Sequence, residues 1–317
     1  MNDLSVKAIR QDFKNKGIFY TPPALAEYLK SLIDTPYKNV YDPTCGRGNL
    51  LSVFEEDILK FGQDISEQEV AIARDTLKNF QGVAGDTLKE PAFMNRRFDC
   101  IVANPPFSVS WEEKEDERFS GAPCLAPKSK ADYAFLLHIL YLLSEEGTAA
   151  ILSFPGILYR QAREGKIRRY LVEKNVIDKV IHIPPKQFTD TSIATCILVF
   201  KKNRQTTDIE FIDTEKQKQR KVTLEEIREN HFNLSVNYYI QEEREKIEID
   251  PVELEMQARK DSIRFLCRSI EMSMRIAEME GMDVTPYLDE LEQMIAKYKN
   301  LLATDNHVDD KREERHD

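Results

Sequence analysis

From residue 22 to residue 200, short apolar runs alternate with longer segments of helical period, an order that predicts a parallel sheet with crossover helices. Pro22–Ile33 reads as a helix with proline in its first turn, followed by strands at Asn39–Tyr41 and Ile58–Gly62, a helix at Glu67–Asn79, and strands at Gly82–Ala84 and Phe98–Ala103. Helix Ala131–Leu143, strand Thr148–Ser153, helix Tyr159–Lys174 and strands Val176–Ile183 and Ile193–Phe200 complete a set of seven strands. Between them, Ser108–Lys130 is charged and irregular, a length that in a compact domain marks a functional or mobile loop. Ile209–Ile212 and Leu224–Glu229 are smaller elements. After Tyr239 the pattern turns helical: Ile263, Leu266, Ile270 and Met274 form one stripe, and Leu288, Leu291, Ile295, Tyr298 and Leu302 a second at coiled-coil spacing. Gly281 to Pro286 separates the two, giving a helical hairpin that packs on its own domain or docks with a partner helix. The expected organisation is a catalytic domain over residues 1–240, a helical extension over 241–303, and a charged, disordered tail over 304–317.

Composition narrows the class. With 41% hydrophobic and 32% charged residues the chain can fill a core, and no apolar run approaches the roughly 18–20 residues of a membrane span. A cytoplasmic protein without a membrane partner is expected. The five cysteines show no paired spacing, so neither disulfides nor a metal site is indicated. A net charge of −10 appears wrong for a nucleic-acid binder, yet residues 241–317 hold 21 acidic and 12 basic residues and so carry −9 of it. The near-neutral remainder contains a basic run, Arg160, Arg163, Lys166, Arg168, Arg169 and Lys174, which either faces phosphates with Lys186 or is a solvated helix face.

Three strand ends carry acids. The first strand runs into Asp42-Pro43-Thr44-Cys45-Gly46-Arg47-Gly48-Asn49, where glycines admit a ligand to the backbone and a helix start offers free N–H groups. The third glycine of a dinucleotide fingerprint is absent, which argues against a nicotinamide enzyme. Asp64 ends the second strand, where a carboxylate can accept from ribose hydroxyls, and Asp86 follows the third, where it can accept from an adenine amine. Asn104-Pro105-Pro106-Phe107 then follows the fourth strand directly. An aromatic amine is a poor nucleophile because its lone pair is delocalised, so its chemistry needs acceptors aimed at both N–H bonds. The Asn104 side-chain oxygen and the Pro105 carbonyl, held by two prolines, meet that need, and Phe107 can stack on an extruded base.

These segments, with Gly17–Pro22, Ser129-Lys130-Ala131-Asp132-Tyr133-Ala134-Phe135, Ser153–Arg160, Glu164–Arg168 and Thr195–Phe200, resemble in their order the modification subunit of type I restriction-modification systems. The resemblance runs from about Asp12 to Tyr239. It implies a seven-stranded, mostly parallel, Rossmann-like class I methyltransferase fold with a helical extension, and S-adenosylmethionine as cofactor. It places Tyr20, Thr21 and Pro22 over the methionine end, and Asp42, Gly46, Arg47, Gly48, Asn49, Asp64 and Asp86 around the rest. Asn104, Pro105, Pro106 and Phe107 would be catalytic, passing a methyl group directly to adenine N6 without a covalent enzyme intermediate, so that Cys45 is a packing residue. Double-stranded DNA and a specificity subunit are the implied partners, with a second modification subunit and a restriction subunit as further candidates.

The sequence departs from that family in three places. About 16 residues precede Gly17, where members carry a long helical domain, so DNA contact would depend more on partners. Arg47 and Asn49 stand where small residues are usual. Nothing after Tyr239 resembles a target-recognition domain, which puts sequence specificity in a separate subunit. Two other readings stay open: an Asn-Pro-Pro-aromatic methyltransferase of protein glutamine or RNA adenine, and a non-catalytic assembly subunit.

Overall fold

The computed structural model describes residues 21–185, 194–241, 251–297 and 299. Tyr20, Lys186, Tyr298, Leu302 and the charged tail lie outside the described residues. The chain divides into two compact units, Met1–Glu242 and Glu243–Asp317.

In chain order, the first unit contains α1 (Pro23–Ser31), β1 (Asn39–Asp42), β2 (Leu59–Asp64), α2 (Glu67–Thr76), β3 (Phe80–Ala84), β4 (Phe98–Ala103), α3 (Asp132–Leu142), β5 (Leu143–Ser153) and α4 (Ala162–Glu173). It continues with β6 (Ile177–Ile183), β7 (Thr195–Lys201), β8 (Ile209–Asp213), β9 (Lys218–Val222), α5 (Leu224–Glu229) and α6 (Val236–Tyr239). The strands form one sheet in the order β3-β2-β1-β4-β5-β7-β6-β8-β9. β1, β2, β3, β4 and β5 pair in parallel, as do β6 and β8. β7 is antiparallel to both β5 and β6, and β9 to β8.

Both faces of the sheet are covered, which is why its central strands read as continuous apolar runs rather than alternating ones. The period of two divides each strand between two cores. Tyr41, Ile101, Ala149 and Ile151 enter one, with α3, which is buried except at Tyr141. Val40, Cys100, Val102, Ala150 and Leu152 enter the other, with Leu25, Ala26 and Leu29 of α1.

The expected seven strands become nine. Ile209–Ile212 is the strand β8, and β9, with sequence Lys-Gln-Arg-Lys-Val, escapes the sequence pattern because four of its five residues are exposed. β5 begins at Leu143 rather than Thr148, following α3 without a linker. α4 begins at Ala162, since Pro155–Leu158 forms a separate turn of 3-10 helix before it.

The basic run of α4 divides. Arg168 is 1% exposed; its guanidinium donates to the carbonyls of Phe232 at 2.7 Å, Arg160 at 2.6 Å and Ile157 at 3.2 Å. A fully buried side chain cannot meet a phosphate, so Arg168 leaves the expected footprint and becomes a structural clamp. Arg163 pairs with Glu113 and Arg169 with Glu173 at the surface.

In the second unit, α7 (Pro251–Met279) ends at Gly281, whose φ of +71° suits glycine. The Met282 N–H returns to the Ala277 carbonyl at 2.9 Å, closing the helix as a left-handed C-cap does. Residues 285–297 are helical again. Ile263, Leu266 and Ile295 of the expected stripes are exposed by 63%, 59% and 53%. No helix among the described residues is long and apolar enough to cross a membrane.

Replacing Arg168 with Leu would leave the Arg160 and Phe232 carbonyls without this donor. The expected outcome is a loss of roughly 3 kcal/mol, read as a lower urea midpoint; an unchanged midpoint would refute the clamp.

Candidate active site

Parallel register brings the carboxyl ends of four strands together. Asp42 stands opposite Gly62, Asp64 opposite Ala84, and Tyr41 opposite Ile101, so the segments leaving β1, β2, β3 and β4 open on one side. A cleft of about 690 Å³ lies there, lined by Thr21, Asp42, Gly46, Arg47, Asn49, Asp64, Asp86, Asn104 and Pro106 among others. Of the described residues singled out in the sequence, Pro22, Gly48, Pro105 and Phe107 do not line it. Pro22 caps the N-terminus of α1, Pro105 is buried, and Phe107 is half-buried against the core that holds α1.

The turn after β1 is built on its glycines. Gly46 has φ +49° and a Cβ placed there would meet nothing within 4 Å, so its backbone is open to a ligand. Gly48 has φ +84°, and a Cβ there would fall 2.4 Å from Leu77 Cδ1, so the turn tolerates only glycine. Asp64 holds the loop from the neighbouring strand. One carboxylate oxygen accepts the Gly46 N–H at 2.8 Å, and the other accepts the Ser66 N–H at 2.9 Å at the start of α2. Asp86 accepts from the N–H groups of Leu88 and Lys89 and so shapes its own turn.

Asp42 is 1% exposed. Its Oδ1 accepts from the Thr44 N–H at 2.9 Å, but burial raises its pKa to about 8, helped by the charge of Asp64 and opposed by Thr44. Arg47 does not offset these acids. Its guanidinium donates to both carboxylate oxygens of Glu69, at 2.7 and 3.2 Å, a two-pronged pair that spends its charge locally. The cleft thus presents several carboxylates and no cation committed to a ligand among its described lining residues.

Asn104 is oriented through Thr21. Its Nδ2 donates to Thr21 Oγ1 at 3.1 Å, which puts the amide nitrogen on the Thr21 side and the oxygen on the other. The Thr21 carbonyl also accepts from Asn49 Nδ2 at 3.3 Å.

Sequence reasoning marked the long loop as functional or mobile but named none of the residues it brings to the cleft. Val109, Ser110 and Trp111 line the cleft, and Trp111 is fixed by its indole N–H on the Pro127 carbonyl and by the ring of Phe119. Arg118 has a fully buried guanidinium that reaches the Thr87 and Leu88 carbonyls beside Asp86, as well as Asp116 and His138. His138 is buried between Arg118 and the Tyr41 hydroxyl; burial first, and then the Arg118 charge, lowers its pKa to about 3, so the ring is neutral. The lone tryptophan of the chain was the available signal for this loop.

A model of the N-6 DNA methylase family matches residues 6–221, about two thirds of the chain and all the elements that build the cleft. The chain belongs to the N-6 DNA methylase family. The methylase subunit of the type I restriction enzyme MpnII from Mycoplasma pneumoniae is 38% identical over 301 residues, covering 75% of this chain and 55% of that relative. The HindI methylase subunit of Haemophilus influenzae is 26% identical over 223 residues, covering 63% and 50%. The chain therefore spans about half the length of the curated relatives it matches. Among solved structures, a type I restriction-modification methyltransferase subunit from Streptococcus thermophilus superposes with a TM-score of 0.65 at 32% identity, over 70% of this chain and 59% of that one. A modification subunit from Vibrio vulnificus gives 0.51 at 19% identity, over 75% and 56%, a likeness of fold alone.

Asp42 carries a pH signature. Its folded pKa of about 8 lies above the ordinary 3.8, so the folded state holds a proton that the unfolded chain releases between those values. That contribution to stability is complete below about pH 4 and is lost as pH rises through 8. Asp42→Asn, which cannot titrate, is expected to flatten this part of the urea-midpoint profile between those pH values. Parallel profiles for the two proteins would remove the assignment.

Proposed function

We propose that this chain is the catalytic part of a type I modification subunit, which transfers a methyl group from S-adenosylmethionine to N6 of an adenine in double-stranded DNA. The observation that carries the reading is Asn104, turned by Thr21 and set at the edge of a cleft whose other strand ends supply Asp42, Asp64 and Asp86.

The cleft suits that cofactor in size and charge. Ligand sites of about 300–1,000 Å³ hold molecules of this scale, and its acids complement a nucleoside with a positively charged amino-acid tail. Asp64 and Asp86 would take the ribose and adenine, with Ile65, 76% exposed in the cleft, offering apolar contact. Thr21, Asp42 and the Gly46–Asn49 turn would hold the methionine end, joined by Tyr20 and Pro22. Arg47 would act there through its pair with Glu69. When bound, S-adenosylmethionine supplies an electrophilic methyl group on a positively charged sulfur.

The chain's own work is to make adenine N6 nucleophilic. Asn104 Oδ1 and the Pro105 carbonyl would accept hydrogen bonds from the two N6–H groups, drawing the nitrogen lone pair out of the ring and stabilising the positive charge the nitrogen would gain as the N–C bond forms and the sulfur–methyl bond breaks, the surplus N6 proton then passing to solvent. Pro105 and Pro106 fix the backbone that carries the second acceptor. The base must leave the duplex to arrive, and Phe107 would stack on it. Cys45 takes no part: burial raises its thiol pKa far above neutrality, so it stays a packed thiol. Recognition of the DNA sequence would belong to a specificity subunit, in a cytoplasmic assembly that also accommodates a second modification subunit and a restriction subunit.

The test is transfer of labelled methyl groups to host genomic DNA with and without a co-expressed specificity subunit. Label on adenine N6 is expected for the wild type, and a fall in kcat of about 10²–10³ for Asn104→Ala, with cofactor binding retained by calorimetry. Labelled protein glutamine or RNA without labelled DNA would move the substrate to those classes. A cofactor-bound protein that labels nothing would support the assembly role instead.

A further inference from the structure

The loop carrying Asn104 has a polar support behind it that the methyl-transfer reading does not use. Ser108, the first residue after Phe107, adopts φ +52°, in the left-handed region, where a residue other than glycine persists only when its surroundings hold it. Its N–H donates to Asp132 Oδ1 at 3.2 Å. One residue further on, the Val109 carbonyl accepts the Ala131 N–H at 2.8 Å. The exit of the Asn-Pro-Pro-Phe segment is therefore stitched to the start of α3 by two bonds.

A second layer meets the same point. Arg160 Nη2 reaches Ser108 Oγ at 3.5 Å, its guanidinium lies 5.4 Å over the Phe154 ring, and its Nη1 stands 3.5 Å from Glu164 Oε1. Asp132 and Glu164 are 6% and 5% exposed. Asp132 Oδ2 is buried without a hydrogen-bond partner, and the equally buried Arg160 Nη1 and Glu164 Oε1 meet each other only as the 3.5 Å ion pair, too loosely for a hydrogen bond. An unmatched carboxylate oxygen beside a loose buried ion pair costs stability that apolar residues would have avoided. Burial raises the pKa of both carboxyls, in keeping with that cost.

We infer that Asp132 is a positioning residue for the proposed reaction: by holding Ser108 in its left-handed conformation, with Arg160 and Glu164 as its backing, it fixes where the Asn104 and Pro105 acceptors point. This rests on the methyl-transfer reading for its kinetic consequence but not for the clamp itself. Asp132 touches neither substrate nor cofactor in this scheme. It acts through the backbone, so its loss should lower kcat and spare cofactor affinity.

Two variants of the full chain test this. Asp132→Ala is expected to raise amide hydrogen exchange in the peptide over residues 104–110 while the 42–50 peptide keeps its wild-type protection. It should also lower kcat about 100-fold, as misplacement of a reacting group by an ångström does, with the Kd for S-adenosylmethionine within about twofold. Asp132→Asn, whose amide oxygen can still accept from Ser108, should recover most of both. Gly156→Ala probes the backing layer. A Cβ there would fall 2.6 Å from Arg160 Nε, so it displaces the end of one flexible side chain without breaking the fold, and a smaller change in the same two readouts is expected. Unaltered exchange over 104–110 in Asp132→Ala would overturn the clamp, and so would exchange rising equally in both peptides with no recovery in Asp132→Asn. Should the wild type transfer no methyl group while Asp132→Ala still frees the 104–110 peptide alone, the clamp stands and the assigned reaction falls.

Discussion

Every group at the cleft depends on the parallel pairing of β1 between β2 and β4. Parallel strands end on the same edge of a sheet, so the three segments leaving them must emerge side by side, and ligands in open α/β sheets bind in that crevice. The pairing is secured from both faces: Val40 and Tyr41 are fully buried, one in each core. A slip of one residue would exchange those two faces and carry Asp42 away from the position it shares with Gly62. Close packing enforces the register, since a Cβ on Gly62 would lie 2.6 Å from Cys45 Sγ.

The electrostatics follow from that arrangement. Converging strand ends gather carboxylates in a partly buried space, and the positive side chains nearby are already engaged, Arg47 with Glu69 and Arg118 with Asp116. The pKa of Asp42 is raised first by its burial and further by the charge of Asp64. A positively charged ligand beside it would favour its ionised form and lower that pKa again. Arg118 shows how a buried charge is accommodated otherwise. Its guanidinium donates to backbone carbonyls, a carboxylate and a neutral histidine, and in doing so binds the long loop to the turn that carries Asp86.

How much of this was readable beforehand depended on whether a residue's role was local. β1, β2 and β4 were legible because strands buried on both faces leave continuous apolar runs. Asp42, Asp64, Asp86 and Asn104 were legible because each ends its strand or follows it within two residues, so topology alone delivers it to the crevice. β9 was not, because an exposed edge strand of Lys, Gln and Arg has neither apolar run nor alternation. The sequence also could not separate Arg168 from Arg169. Adjacent residues on a helix point about 100° apart, and only the tertiary fold shows which one turns inward to the carbonyls of residues 157, 160 and 232. Arg118 was hidden for a similar reason: apart from Asp116, its partners lie 20 and about 30 residues away, a separation that no short motif records.

The last link is between the two halves of the cleft. The turn after β1 and the segment after β4 come from different strands, yet Thr21 bonds to both. Its carbonyl accepts from Asn49 and its hydroxyl from Asn104. Thr21 is itself 6% exposed and directly precedes the proline that caps α1, so it is held by an element packed in the core rather than by the cleft. The Asn49 and Asn104 amides, from two different strand ends, are therefore referred to one residue that the core holds in place, so the turn after β1 and the segment after β4 share a common anchor at Thr21.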